Sequence, residues 1–448
     1  MKNRIKLHFE LGSSLRAQRS NPNIIHRLLQ AKSLRNDGRY SLIFLLLLNL
    51  SFSFANAQEI NVAQIKKDVY FLASDKLEGR GTSDKGGAMA ARYICSRFKQ
   101  IGLLPKGDNN SYLKPYEYKA PANPHMGIDS AAKTSHSNNV VGYIDNGALN
   151  TIIIGAHYDH LGKGYDGNSL DANPQGKIHN GADDNASGVA GVLALANYYQ
   201  KNNVKEKYNF LFICFSGEEL GLYGSKKFCE NPSIDLSTVD FMLNMDMIGR
   251  LDSLNRLLVY GVGTAADLYS VIKNTKTDFK IKTDSSGIGP SDHTSFYLKD
   301  IPVLHFFTGS HSDYHKPSDK ADKVNYEGEK KVLEYIVTVV NELDNHPKLK
   351  FTATRNADNE SSPKFKVTLG IMPDYVFEGP GVRADGVTNG KPASKAGMLK
   401  GDIIIKLGDY DVKDMKTYME ALAKFKKGDN TTVEVQRGKE KIKMPVTF

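Results

Sequence analysis

Cysteine is scarce in this chain of 448 residues: Cys95, Cys214 and Cys229 are its only three. An odd, small number builds no disulfide framework, even in a compartment that would permit bridges. No C-x-x-C pair occurs, which argues against a zinc site built on thiolates. Cys95 and Cys214 stand in apolar runs and read as small core residues. Excess positive charge is also missing from most of the chain. The formal charge is +9, but residues 1–57 hold nine Lys/Arg against Glu10 and Asp37, a net of +7 that leaves +2 for everything after them. The basic balance therefore gives no ground for nucleic-acid binding. A membrane-length apolar run is absent as well. The run that begins at Leu42-Ile43-Phe44-Leu45 and continues to about Ala55 is shorter than the ~20 residues a spanning helix needs. No later segment could span a bilayer.

That short run has another reading. Arg35 and Arg39 precede it, and Ala55-Asn56-Ala57 follows it as a small-x-small cleavage pattern. Together they predict a secretory signal peptide, Gln58 as the mature start, and export to the periplasm or beyond. The basic stretch before the apolar core is unusually long. Residues 1 to about 38 are therefore expected to be an upstream mis-start or a non-functional extension; an uncleaved N-terminal anchor is the alternative.

What remains has ordinary globular composition and enough length for two or three domains. Helical spacing runs from Ile65 to Leu72 and from Ala88 to Ile101, where Gly102 is a stop signal. Residues 106–137 are polar and irregular and are expected to form surface loop. Strands are expected at Asn139–Ile144, Thr151–Ala156, Phe210–Phe215, Phe241–Met245, Leu257–Tyr260 and Ile301–Phe307. Helices are expected at Ala186–Tyr199, Leu222–Phe228, Ala265–Asn274 and Glu327–Leu343. Thr-Ile-Ile-Ile-Gly-Ala is apolar on both faces, as a strand covered by helices on each side should be. Alternation of strands and helices predicts an α/β/α sandwich around a mostly parallel mixed sheet. Composition changes near the end. The expected division is 1–57 leader and signal peptide, 58–345 catalytic domain, 346–363 linker, and 364–448 a small β-rich domain with a helix near Met415–Phe425.

The chain is organised around Gly217-Glu218-Glu219-Leu220-Gly221, which follows the apolar strand Phe210–Phe215. Taken alone, two adjacent glutamates read as a solvated turn. The other strand ends change that reading. His157 and Asp159 follow Thr151–Ala156, Asp246 follows Phe241–Met245, and Asp313-Tyr314-His315 follows Ile301–Phe307. Gly181-Ala182-Asp183-Asp184-Asn185 stands at a helix start. Open α/β sheets bind ligands at the carboxyl ends of their strands. Two His and several carboxylates with no Cys suit zinc or a related divalent ion, and a surplus of carboxylates suggests two metals sharing one. A carboxylate beside a ligating carboxylate is well placed to act as general base.

Five motifs then fall in one order: Ala-His157-Tyr-Asp159-His, Gly-Ala-Asp-Asp184-Asn-Ala-Ser-Gly, Gly-Glu218-Glu219-Leu-Gly, Asn-Met-Asp246-Met-Ile-Gly and Asp-Tyr-His315-Lys-Pro-Ser-Asp. Leu77-Glu78-Gly79-Arg80-Gly81 precedes them, and Ser291-Asp292-His293 stands before the last. Over residues 65–345 the chain resembles the dizinc exopeptidases, the family of bacterial leucyl aminopeptidases and glutamate carboxypeptidase. The resemblance implies two zinc ions. One would be held by His157 and Asp246, the other by Glu219 and His315, with Asp184 bridging. Glu218 would move the proton, and Asp159 would orient His157. His160, His179, His293, His305 and His311 are not needed as ligands and read as structural or as groups that orient the ligands; Asp183 reads as a helix cap, with ordering of its loop as the alternative, and the family motif holding Asp292 and His293 implies a place for them in the cleft lining. Arg80 receives no substrate contact, and the Tyr residues of 106–120 read as packing.

Near the end, Val367–Met372 is followed by Pro392-Ala393-Ser394-Lys395-Ala396-Gly397-Met398-Leu399-Lys400-Gly401-Asp402. Residues 364–448 resemble a PDZ domain of the bacterial protease type. The resemblance implies that Leu369-Gly370-Ile371 meets the carboxylate of a peptide C-terminus, the peptide adding as a strand. The alternative is a domain that only packs. The expectation is an exported zinc-dependent aminopeptidase acting on peptides. A glutamate-type carboxypeptidase, a glutaminyl cyclase and a peptide-binding protein stand as alternatives.

Overall fold

The computed structural model describes residues 59–119, 133–354 and, of the C-terminal part, 367–373, 377, 379–387 and 390–448. The expected leader, signal peptide and cleavage site lie outside the described residues.

Among the described residues the larger part is built on a nine-stranded mixed sheet. Its strands are β1 (Leu104–Pro105), β2 (Leu113–Tyr118), β3 (Ser135–Ile144), β4 (Asn150–His157), β5 (Tyr208–Phe215), β6 (Val239–Met245), β7 (Arg256–Tyr260), β8 (Lys280–Asp284) and β9 (Val303–Phe307). The order is β1-β3-β5-β4-β6-β9-β7-β8, with β2 paired to β3. The central four, β5-β4-β6-β9, are parallel, while β3 and β7 run antiparallel to them on either side. Four strands therefore deliver their carboxyl ends to one edge of the sheet.

Alternation along β4 and β5 explains the sandwich. Ile152, Ile154, Phe210, Phe212 and Cys214 point into one core, shared with helices Val62–Leu72, Lys85–Ile101, Gly188–Lys201 and Tyr326–Leu343. Ile153, Leu211, Ile213 and Phe215 point into a second core with Phe228 and Phe296, which lie on helices Tyr223–Glu230 and His293–Tyr297. Burying a side chain of this size stabilises by about 1.5–3 kcal/mol, so both faces of the sheet must be covered.

Two expectations are corrected. The stretch 106–137 is not all loop: it contains β2 and the start of β3. Its inward side chains are Lys114, Tyr116 and Tyr118, so the alternation carries no aliphatic signal. Each is buried only because its polar tip is satisfied. Lys114 Nζ reaches Asp108 at 2.7 Å, and the Tyr116 and Tyr118 hydroxyls bond the Ser216 carbonyl and Ser83. The expected linker also begins later than 346. The Leu349 N–H donates to Asp240 at 2.6 Å, Phe351 packs on Tyr297, and Thr354 bonds the Tyr297 hydroxyl. Residues 346–354 are thus bound to the catalytic region, and 355–363 lie outside the described residues.

The C-terminal region forms a separate antiparallel sheet, β10 (Ile371–Pro373), β11 (Val382–Val387), β12 (Ile403–Leu407), β14 (Asn430–Arg437) and β15 (Glu440–Thr447) in that order, with β13 (Tyr410–Asp411) on β12. Leu369, Val382, Ile404, Leu407, Val433 and Val435 make its own core with Tyr418 and Leu422. The latter two lie on helix Met415–Leu422, started by an Asp414/Thr417 capping box.

Candidate metal centre

The carboxyl ends of β4, β5 and β6, and the loops beyond β9 and before helix Gly188–Lys201, place the expected residues in one cluster. His157 Nε2 lies 3.3 Å from Asp246 Oδ1 and 3.4 Å from Asp184 Oδ1. His315 Nε2 lies 3.2 Å from Asp184 Oδ2 and 3.2 Å from Glu219 Oε2. Asp184 thus turns one oxygen to each histidine. Zinc–ligand bonds of about 2.0–2.1 Å in a tetrahedron put donor atoms about 3.3–3.4 Å apart. The four separations fit that spacing. His157, His160, Asp184, Glu218, Glu219 and Asp246 fall into groups of imidazoles and carboxylates close enough together to hold a divalent cation, and His315 adds a further nitrogen 3.2 Å from Asp184 and Glu219. Asp184 and Glu219 are buried along their side chains and Glu218 and Asp246 nearly so, and converging carboxylates of this kind are held in place by opposite charge.

The surrounding groups fix the orientation of each donor. His315 Nδ1 donates to the Asn168 carbonyl at 3.0 Å, and Asn168 Nδ2 donates to the Glu219 carbonyl at 2.8 Å. One residue of the loop 162–180 thereby braces two donors. His160 Nδ1 stands 2.7 Å from Glu219 Oε1, a hydrogen-bond distance rather than the spacing of two metal donors. It steers Glu219 through the oxygen that does not face His315. Asp159 is wholly buried and accepts from the Thr82 hydroxyl at 2.6 Å and from the Glu218 N–H at 3.2 Å. His157 Nδ1 is closer to the Asp159 carbonyl, 3.2 Å, than to its carboxylate, 3.7 Å. The main chain of Asp159, as much as its side chain, therefore sets the ring. The contacts of Thr82 and Asn168, and the part played by the Asp159 main chain, were not legible in the sequence.

Glu218 faces His157 Nε2 at 3.9 Å. Burial raises the Glu218 carboxyl well above its normal range, and the nearby Glu219 and Asp246 add to this against the pull of His157. Burial also works against ionisation of Glu219, but His315 and His160 outweigh it and hold that carboxyl down at about 2. Neighbours in sequence are thus pushed apart in proton affinity. Burial pulls both His157 and His315 down, yet Asp246 and Glu218 for one, and Glu219 and Asp184 for the other, raise them well above normal.

The remaining candidates stand apart. His293 and His305 stack at 4.5 Å in the interior, and burial lowers His293 to about 3, so they are neutral packing groups. His311 bonds Asp183 at 3.1 Å. Asp183 also accepts from the Gly249 N–H at 2.7 Å and from Ser187, so it ties the β6 loop to the helix start rather than simply capping it. In the C-terminal sheet Leu369 is buried, Gly370 has φ +75°, and its N–H donates to Thr368 at 3.0 Å. A Cβ at Gly370 would meet Lys391 at 2.2 Å, so only glycine fits there. Ile371 opens the edge strand β10.

Comparison with known proteins agrees with this architecture. Residues 139–340 match Peptidase family M28, and residues 339–447 match the PDZ domain. Over 277 residues the chain is 28% identical to a probable lipoprotein aminopeptidase, LpqL, of Mycobacterium tuberculosis, covering 57% of this chain and 49% of that one. It is 25% identical over 264 residues to a probable leucine aminopeptidase 2 of Aspergillus oryzae, covering 51% and 49%. The chain spans about half the length of these curated relatives. Among solved structures, a Bacteroides thetaiotaomicron glutaminyl cyclase superposes with TM-score 0.51 at 17% identity over 65% of this chain and 100% of that one. A leucine aminopeptidase precursor from the same organism gives 0.50 at 17% over 65% and 99%. The shared fold is the mixed sheet with helices on both faces, and a match to Peptidase family M28 over residues 139–340 is followed by one to the PDZ domain.

Proposed function

We propose that this protein is an exported aminopeptidase that holds two zinc ions and removes N-terminal residues from peptides. The observation that carries the reading is the division of donors around Asp184: His157 and Asp246 on one oxygen, His315 and Glu219 on the other. Export is supported by the apolar run and small-x-small pattern before Gln58. Among the described residues no helix is long and apolar enough to cross a membrane.

Bound zinc would supply Lewis acidity, lowering the pKa of water and polarising the peptide carbonyl. The chain's own residues do the rest. The Glu218 carboxylate takes a proton from the attacking water as its oxygen adds to the carbonyl carbon. The same carboxyl returns the proton to the amine nitrogen as the C–N bond breaks. Asp159 holds the Glu218 N–H at 3.2 Å and lies beside His157, so base and ligand move as one unit. Met247, Leu258 and Phe307 form a small apolar cluster with Tyr260 and Tyr314. Met247 follows Asp246 and Tyr314 precedes His315 in sequence, and this cluster is assigned the part of the site that takes an apolar first side chain. The PDZ domain would take peptide C-termini at Leu369-Gly370-Ile371.

Peptides with free and blocked N-termini, incubated with the protein with zinc, with chelator and as Glu218→Gln, test the reading. Release of the first residue from free peptides alone, lost with chelator and in the variant, is expected. Cleavage of blocked peptides from the other end would replace it with a carboxypeptidase. Cyclisation of N-terminal glutamine without hydrolysis would replace it with a cyclase.

A further inference from the structure

Arg80 is the largest side chain among those fully buried, and no carboxylate pairs with it directly. Its guanidinium donates to four main-chain carbonyls. Nε reaches Tyr158 at 2.7 Å, Nη1 reaches Leu72 at 2.7 Å and Asn180 at 2.6 Å, and Nη2 reaches Gly181 at 2.8 Å. Tyr158 lies between His157 and Asp159, and Asn180-Gly181 leads into Asp184. One side chain thus ties the loop of one donor to the loop of the other. The chain goes to some length to place it. Glu78, Gly79 and Arg80 all have positive φ, at 48°, 76° and 51°. That region is unfavourable for side chains other than glycine unless the surroundings enforce it. A Cβ at Gly79 would meet the Gly162 and His179 carbonyls at 2.3 and 2.6 Å.

The other side of the same segment is held by Asp319, also fully buried, four residues after His315. Its Oδ2 accepts from the Asp183 N–H at 2.8 Å and the Asp184 N–H at 3.1 Å, and its carbonyl accepts from the Ala182 N–H at 3.3 Å. Carbonyls of the segment therefore face a cation and its N–H groups face a carboxylate. No side-chain atom of Arg80 or Asp319 is a member of the donor groups that could hold a metal.

We propose that Arg80 and Asp319 are positioning residues that fix Asp184 between His157 and His315, and so set the spacing at which the two donor groups share it. The proposal rests on the metal reading above. Lysine cannot replace the arginine fork, because one ammonium cannot reach four divergent carbonyls in the same plane. Asparagine can replace Asp319, because a single amide oxygen still accepts both N–H groups. Alanine cannot.

The test uses the full chain and its Arg80→Lys, Asp319→Ala and Asp319→Asn variants. Zinc affinity is measured by chelator competition, the visible spectrum with cobalt(II) in place of zinc, and the unfolding midpoint without metal. Loss of a group that orients ligands typically weakens metal binding about 10–100-fold. That loss, with a changed cobalt spectrum, is expected for Arg80→Lys and Asp319→Ala, and near wild-type behaviour for Asp319→Asn. Folded variants with wild-type affinity and spectrum would overturn the proposal, as would an Asp319→Asn as impaired as the alanine. Should Arg80→Lys and Asp319→Ala fold only when zinc is added, the proposal stands; failure to fold at saturating zinc would mark both as general fold residues and overturn it. A wild-type chain that binds neither ion would overturn the metal reading and this proposal with it.

Discussion

Side chains of consecutive residues diverge, and Glu218 and Glu219 use that divergence to face different groups. Glu219 turns towards His315 and His160, Glu218 towards His157. Replacing Glu218 by Gln keeps the shape and removes the proton acceptor. Turnover is expected to fall by about 10²–10⁴-fold, the range for removal of a general base, with zinc content unchanged on elemental analysis. Loss of zinc along with activity would instead make Glu218 a ligand. The apolar cluster whose Met247 and Tyr314 adjoin Asp246 and His315 in sequence is assigned to the substrate's first side chain, which gives a second prediction. Leucine p-nitroanilide should be hydrolysed with a higher kcat/KM than glutamate p-nitroanilide, by tenfold or more, since about 1.4 kcal/mol of apolar contact corresponds to tenfold. Equal rates would remove that cluster from the substrate site. The convergence of His157, Asp184, Glu219, Asp246 and His315 was legible from His, Asp and Glu at strand ends and a helix start. Their orienting partners were not, because Asn168, Thr82 and Asp319 act through loops that only the folded chain brings near.

Among elements, helix Tyr326–Leu343 holds a group the site does not use. Glu329 is fully buried, and neither carboxylate oxygen has a hydrogen-bond partner in the protein. Burial, with Asp183 and Asp68 nearby, raises its carboxyl well above the normal value. The folded state therefore keeps a proton that the unfolded chain releases above its ordinary pKa. Stability from this group is complete below that pKa and is lost as pH rises towards the folded value. Glu329→Met, of similar volume, removes both the orphaned oxygens and the titration. The variant is expected to be more stable at neutral pH by about 1–3 kcal/mol, with the gain shrinking as pH falls below the carboxylate range. Urea unfolding at several pH values measures it, and a gain independent of pH would rule out the titration.

The same helix was legible from its apolar spacing, as were the central strands, because burial on both faces leaves continuous Val/Ile/Leu/Phe runs. Elements with exposed or polar inward faces were not. β8 is Lys-Ile-Lys-Thr-Asp on the sheet edge, where charge discourages further pairing. β2 buries lysine and tyrosine.

At the scale of the whole molecule the two regions have distinct cores, one around the nine-stranded sheet and one around Leu369, Ile404 and Val433. The boundary was expected at 346, but Leu349 and Thr354 are still attached to the catalytic region. The sequence misled there because polar composition is shared by linkers and by strands of chain held through main-chain bonds. A chain ending after Thr354 is expected to fold and to hydrolyse dipeptide analogues at rates close to those of the whole protein, measured side by side. Loss of folding would show that the C-terminal sheet is needed by the catalytic core.

The donors around Asp184 are proposed to serve two ions and not one. Zinc is added back in steps to chelated protein while leucine p-nitroanilide hydrolysis and bound metal are followed together. Binding is expected to saturate at about two equivalents per chain, as for two-metal hydrolytic sites, with full activity only when the second is bound. Saturation of both binding and activity at one equivalent would contradict it.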